Sequence, residues 1–210
     1  MMGYFLPFRL YIGSRVCKLS QSQRPATYLQ PMNYLYRILT LLFSILIAQS
    51  AGFLGSLATR PNIETWYRGI EKPFFTPPDG VFPIVWPLLY LLMGIAAWLV
   101  WYAPAKEDDS YWREGASYES MLLTQRGSRS FALGVYGVHL VFNVLWSFLF
   151  FQWQLLGVAF AEILVLLALI LLTTRLFYRI RPVAGYLMIP YILWVFYAGV
   201  LNASIWWLNM

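Results

Sequence analysis

The sequence predicts an all-α protein, an integral membrane bundle of five transmembrane helices. Two observations carry this. Of 210 residues, 60% are hydrophobic and only 11% charged, where a soluble domain carries about a quarter; mean hydropathy is +0.60. The apolar residues also come in long blocks. Residues 38–59, 80–105, 130–161 and 182–210 contain no Asp, Glu, Lys or Arg, and 155–174 is broken only by Glu162. A span needs about 20 apolar residues. In lipid every backbone polar group needs an internal partner, so helices are the default, and the blocks are too long for barrel strands.

The five spans are expected near 38–58, 82–102, 131–152, 155–175 and 183–207. The first carries Ser44, Ala48, Gly52 and Ser56 at i+4 steps. Such a stripe lets helix backbones approach closely, and packing inside the bundle is the reading taken over contact with a second copy. Between the first two spans, Pro73, Pro77 and Pro78 remove N–H donors and fix φ, so this segment stays non-helical and stiff. Residues 103–130 read as a polar connector of mixed charge. The third and fourth spans are joined by little more than Gln152–Trp153–Gln154 and must be antiparallel neighbours. The fourth ends in cations, at Arg175, Arg179 and Arg181.

The chain divides into an N-terminal extension, 1–31, and a five-helix membrane domain, 32–210. The extension holds Arg9, Arg15, Lys18 and Arg24 and no acid, which fits a targeting segment; a start at Met32 fits equally. Lys and Arg number twelve on one side of the predicted topology and three on the other, Arg60, Arg68 and Lys72. This bias places the N-terminus in the cytosol and accounts for the net charge of +6 without a nucleic-acid partner. The expected location is a bacterial or organelle membrane.

Chemistry is sparse. One cysteine and one histidine leave no metal constellation. Ser147 lies eight residues from His139, about 12 Å along a helix, too far for a nucleophile–base pair. No phosphate loop or paired carboxylate is present, which disfavours a conventional hydrolase or ATP-driven pump, and no cofactor is expected. Glu162 reads as a proton relay or as an acid reaching the interface or a hydroxyl. Patterns on three helices are more informative. His139, Asn143, Trp146 and Phe150 share one helical face; Tyr191, Trp194, Ala198 and Asn202 share another; Trp86, Tyr90 and Ala97 line a third. Aromatics opposite small residues leave room for a flat ligand. Trp86, Trp101, Trp206 and Trp207 also suit an interfacial belt, whereas Trp146 and Trp194 lie too near the span centres for one.

Four ordered stretches, WYRGIEKPFFTPP, VWPLLYLLMGIAAWLVW, FNVLWSFLFF and PYILWVFYAGVLNASIWWLN, resemble the translocator protein family, also called tryptophan-rich sensory proteins (TspO/MBR). The resemblance covers about residues 38–210. It implies a five-helix bundle, a homodimer, and a pocket for porphyrins and other lipophilic small molecules. It also implies ties to tetrapyrrole transport or stress signalling. Trp66, Tyr67, Pro77 and Pro78 match the loop that caps the family's pocket. Trp86, Tyr90, Asn143, Trp146, Trp194, Ala198 and Asn202 match its helical motifs. His139 stands where Gln is common, Phe75 where Trp is frequent, and Asp79-Gly80 where an aromatic occurs. The C-terminus has no basic residue, which argues against cholesterol as the native ligand. The leading expectation is a receptor or transporter for tetrapyrroles. The alternatives are light-dependent porphyrin oxidation, with Trp86 and Trp194 as candidate residues, and a regulatory partner-binding membrane protein.

Overall fold

The structure is a computed structural model that describes residues 34–103 and 118–210, with side chains of the second segment from Leu122 onward. The expectations for the N-terminal extension and for residues 104–117 lie outside the described residues. Among the described residues every regular element is helical: α1 (Tyr34–Asn62), α2 (Phe82–Trp101), α3 (Tyr118–Ser147), α4 (Leu156–Ile180), α5 (Pro182–Leu187) and α6 (Ile189–Leu208). Five stretches are long and apolar enough to cross a membrane, α5 and α6 together forming the last.

Boundaries differ from expectation in four of the five spans. The helix α1 runs from Tyr34 to Asn62, beyond the expected 38–58 at both ends, and continues as a π-type turn to Tyr67. The helix α3 begins at Tyr118, so the second half of the expected polar connector is helical. Charge does not break a helix, and the run from Met121 to Arg126 is rich in helix formers. The helix α4 continues past residue 175 to Ile180 and stops where Arg181 is extended, at φ −147° and ψ 109°. Pro182 follows, and the residue before a proline is steered away from helical ψ. The last span is divided at Met188, because Pro190 has no N–H to return to the preceding turn.

Two spans end in a wider π-type turn, Ile63–Tyr67 after α1 and Phe148–Gln152 after α3. The corner into α4 is tight: Gln154 takes the left-handed conformation at φ 57°, and Leu155 N–H reaches the Leu149 carbonyl at 2.9 Å.

The buried seams follow helical spacing. On α6 they are Tyr191, Val195, Ala198, Asn202 and Ile205; on α4, Ala159, Glu162, Leu166, Ile170, Thr173 and Phe177. The first span is the least buried of the five, with Leu42, Phe43, Leu46 and Leu57 all exposed as a lipid-facing surface. Its inner face is held to α2 by polar contacts. Ser44 Oγ donates to the Gly94 carbonyl at 2.8 Å and Gln49 Nε2 to the Pro87 carbonyl at 2.9 Å. A Cβ on Gly94 would come within 2.7 Å of Ile45 Cα, and one on Gly52 would run into the Tyr90 ring. The small-residue stripe is therefore used within the bundle.

Candidate functional site

A cavity of about 570 Å³ lies inside the bundle. Trp86 and Tyr90 come from α2, Trp146 from α3, and Trp194, Ala198 and Asn202 from α6; Tyr67 enters from the turn after α1. The helix α1 contributes Gln49, Gly52, Gly55, Ser56 and Thr59. The Tyr90 ring packs directly on Gly52 and Ser147 Oγ on Gly55, so these glycines let α2 and α3 close against α1. The rings support one another. Trp86 stacks on Tyr90 at 5.6 Å between centroids and meets Trp194 edge-on at 6.4 Å. Trp146 stacks on Phe150 at 5.1 Å.

Behind this wall runs a polar network. The Tyr90 hydroxyl donates to Asn143 Oδ1, and Asn143 Nδ2 donates to the Tyr191 hydroxyl at 2.9 Å. One buried amide thus ties α2, α3 and α6. Trp146 Nε1 donates to Asn202 Oδ1 at 3.1 Å, and Asn202 Nδ2 to the Leu156 carbonyl at 3.0 Å. Interhelical hydrogen bonds of this kind fix how helices sit against each other in lipid. They also fix the edge of the Trp146 ring, whose face stacks on Phe150.

Seven of the twelve sequence-predicted residues line the cavity: Tyr67, Trp86, Tyr90, Trp146, Trp194, Ala198 and Asn202. The other five do not. Asn143 stands behind the wall, in the network. His139 is fully buried, with Nδ1 3.4 Å from Thr173 Oγ1 and its ring against Tyr136 and Tyr191. Trp66 packs edge-on against Phe150 at 5.8 Å. Pro77 and Pro78 lie in the segment leading to Asp79, which itself lines the cavity. That segment is pinned to the last helix: the Tyr197 hydroxyl donates to the Phe75 carbonyl at 2.7 Å. Further along, Asn209 and Glu71 exchange two bonds of 3.0 Å, the Glu71 N–H donating to Asn209 Oδ1 and Asn209 Nδ2 donating to the Glu71 carbonyl.

Glu162 is buried, and neither carboxyl oxygen has a hydrogen-bond partner among the described residues, so it meets no described hydroxyl. Of the tryptophans matched to a belt, Trp101, Trp206 and Trp207 are exposed, while Trp86 is a wall residue.

Phe150 and Phe151 also line the cavity. Phe150 lies on the face already read from the sequence. Phe151 does not, and the π-type turn beginning at Phe148 is what brings it round to meet Tyr67 at 5.6 Å. Such turns recur at functional sites.

The model of the TspO/MBR family matches residues 44–208. The chain belongs to the TspO/MBR family. Every cavity-lining residue, from Gln49 to Ile205, falls within the matched range. Among TspO/MBR relatives, the chain is similar to a tryptophan-rich protein TspO of Archaeoglobus fulgidus, 35% identical over 172 residues, covering 82% of this chain and 98% of that protein. It is 30% identical to a tryptophan-rich sensory protein of Cereibacter sphaeroides over 146 residues, covering 70% and 78%. It is 29% identical to the translocator protein of Bos taurus over 161 residues, covering 77% and 85%. Family membership and five apolar spans make this an integral, multi-pass membrane protein.

Proposed function

We propose that this protein is a membrane receptor or transporter whose cavity takes flat lipophilic ligands, tetrapyrroles foremost, with the segment from Arg68 to Gly80 as its lid. One observation carries the reading. Tryptophans from three helices, Trp86, Trp146 and Trp194, line one cavity between the spans together with residues of α1. That lining favours a flat body held by aromatic contact. A volume of about 570 Å³ lies within the range of small-molecule sites. Relatives named as translocator and sensory proteins support a role in moving or detecting a ligand.

Titrating protoporphyrin IX into the purified protein in the dark tests this. Bound porphyrin quenches tryptophan fluorescence and shifts its own absorption band, and Trp86→Phe and Trp194→Phe weaken both signals. Unchanged fluorescence and spectrum would overturn the reading.

The Trp86 contacts with Tyr90 and Trp194 favour a second reading, oxidation of a bound porphyrin by dioxygen in light. Illuminating the complex in air then yields a bilin-like product that Trp86→Phe or Trp194→Phe abolishes; an unaltered porphyrin leaves binding alone.

A further inference from the structure

The cavity is aromatic inside, but its mouth carries charge. Three basic residues lie between 59 and 79: Arg60, Arg68 and Lys72. Two are engaged. Arg68 Nη1 is 2.5 Å from Glu64 Oε2, and Lys72 Nζ sits 4.6 Å from the centre of the Tyr67 ring. Arg60 stands four residues before Glu64, the spacing at which the two would pair on a helix, yet Glu64 is taken by Arg68. Arg60 makes no ion pair with any described residue. Its side chain instead lines the cavity, as does Asp79. Both are exposed, as are the lining residues Phe53, Pro83 and Pro87, so the cavity opens between α1 and α2 with the charges on its rim.

We propose that Arg60 is a specificity-determining residue, selecting flat ligands that carry a carboxylate, whose apolar body lies among the tryptophans while the carboxylate meets the guanidinium at the mouth. This rests on the function proposed above. The guanidinium fork matches a carboxylate through two parallel hydrogen bonds, and among the described residues no acid is paired with it. Asp79, on the same rim, disfavours a second anion there. An arginine near a span end is ordinarily an interfacial anchor, and an anchor would not distinguish an acid from its ester.

Protoporphyrin IX and its dimethyl ester, titrated in the dark against the full chain in detergent, make that distinction. Native protein binds the diacid about tenfold tighter than the diester, a modest figure for a charged hydrogen bond at an exposed site. Arg60→Gln brings the two within about twofold by weakening the diacid alone, Arg60→Lys keeps most of the preference, and Asp79→Asn increases it. Raising salt from about 0.05 to about 0.5 M narrows the native gap and leaves that of Arg60→Gln unchanged. Each ligand's own partitioning into detergent cancels between variants. Equal affinities in native protein, or a preference that survives Arg60→Gln, would overturn the assignment and leave the cavity reading intact. Binding of neither porphyrin would overturn both. Oleate carries the same carboxylate on a thin chain; if it displaces the porphyrin at equal concentration, the selection for a flat body fails.

Discussion

Asn143 is the residue on which the bundle's inner wall depends. Its amide accepts from Tyr90 and donates to Tyr191, both buried. Removing the amide strands two phenols among apolar neighbours, which costs more than the lost bonds alone. Asn143→Ala is expected to lower stability by about 1–2 kcal/mol, the upper range for interhelical hydrogen bonds in membranes. Thermal unfolding in detergent measures it. Tyr191→Phe should cost less, and the double variant less than the sum, since the two share one bond; strict additivity would mean that the bond contributes nothing. His139 shows the opposite case. It shares a helical face with Asn143 and Trp146 but sits one turn deeper, against Tyr136, Tyr191 and Thr173. Helical spacing identifies the face and gives no depth, so the sequence could not separate a wall residue from a core one.

The segment between α1 and α2 works as an element. Neither Pro77 nor Pro78 touches the cavity, so their contribution is stiffness: a chain with few accessible conformations holds Asp79 and Phe82 where they line it. Tyr197 and Asn209 supply the anchorage from α6. Replacing both prolines with glycine is therefore expected to speed porphyrin dissociation severalfold while moving the unfolding temperature little. Stopped-flow fluorescence and a thermal melt on the same sample test this, and equal loss in both would sink the lid. The turns flanking this segment tell a related story. The π-type turns at Ile63–Tyr67 and Phe148–Gln152 bring Tyr67 against Phe150 and Phe151. Nothing in residue spacing announces an extra residue in a turn, which is why Phe151 was not legible as a wall residue.

At the scale of the whole molecule, five spans are an odd number, so the two ends of the membrane domain lie on opposite faces of the bilayer. The charge bias, twelve basic residues against three, predicts that the N-terminal end is the cytosolic one. A tag at the N-terminus and one inserted near residue 110 should both be shielded in sealed, right-side-out cells, and a tag after Met210 accessible. The reverse pattern would mean that this chain is inserted against its charge. Such a topology puts Arg60, Asp79 and the cavity mouth on the face away from the cytosol.

The sequence alone determined the class of fold, the number of spans and three aromatic faces, because lipid imposes one strong rule on the backbone and helical periodicity another on side chains. It also showed why residues 68–78 could not be helix, while Asp79–Val81 form a short 3-10 turn leading into α2. Tertiary structure decided which faces meet. Only there do residues of α1 join Trp86 and Trp194 around one cavity, Glu162 stand buried with no hydrogen-bond partner among the described residues, and Arg60 line the cavity while Arg68 pairs with Glu64. Those outcomes depend on helix register and rotation. Both are set by packing and interhelical hydrogen bonds between residues such as His139 and Thr173, 34 apart, or Trp146 and Asn202, 56 apart in the chain, which no local pattern encodes.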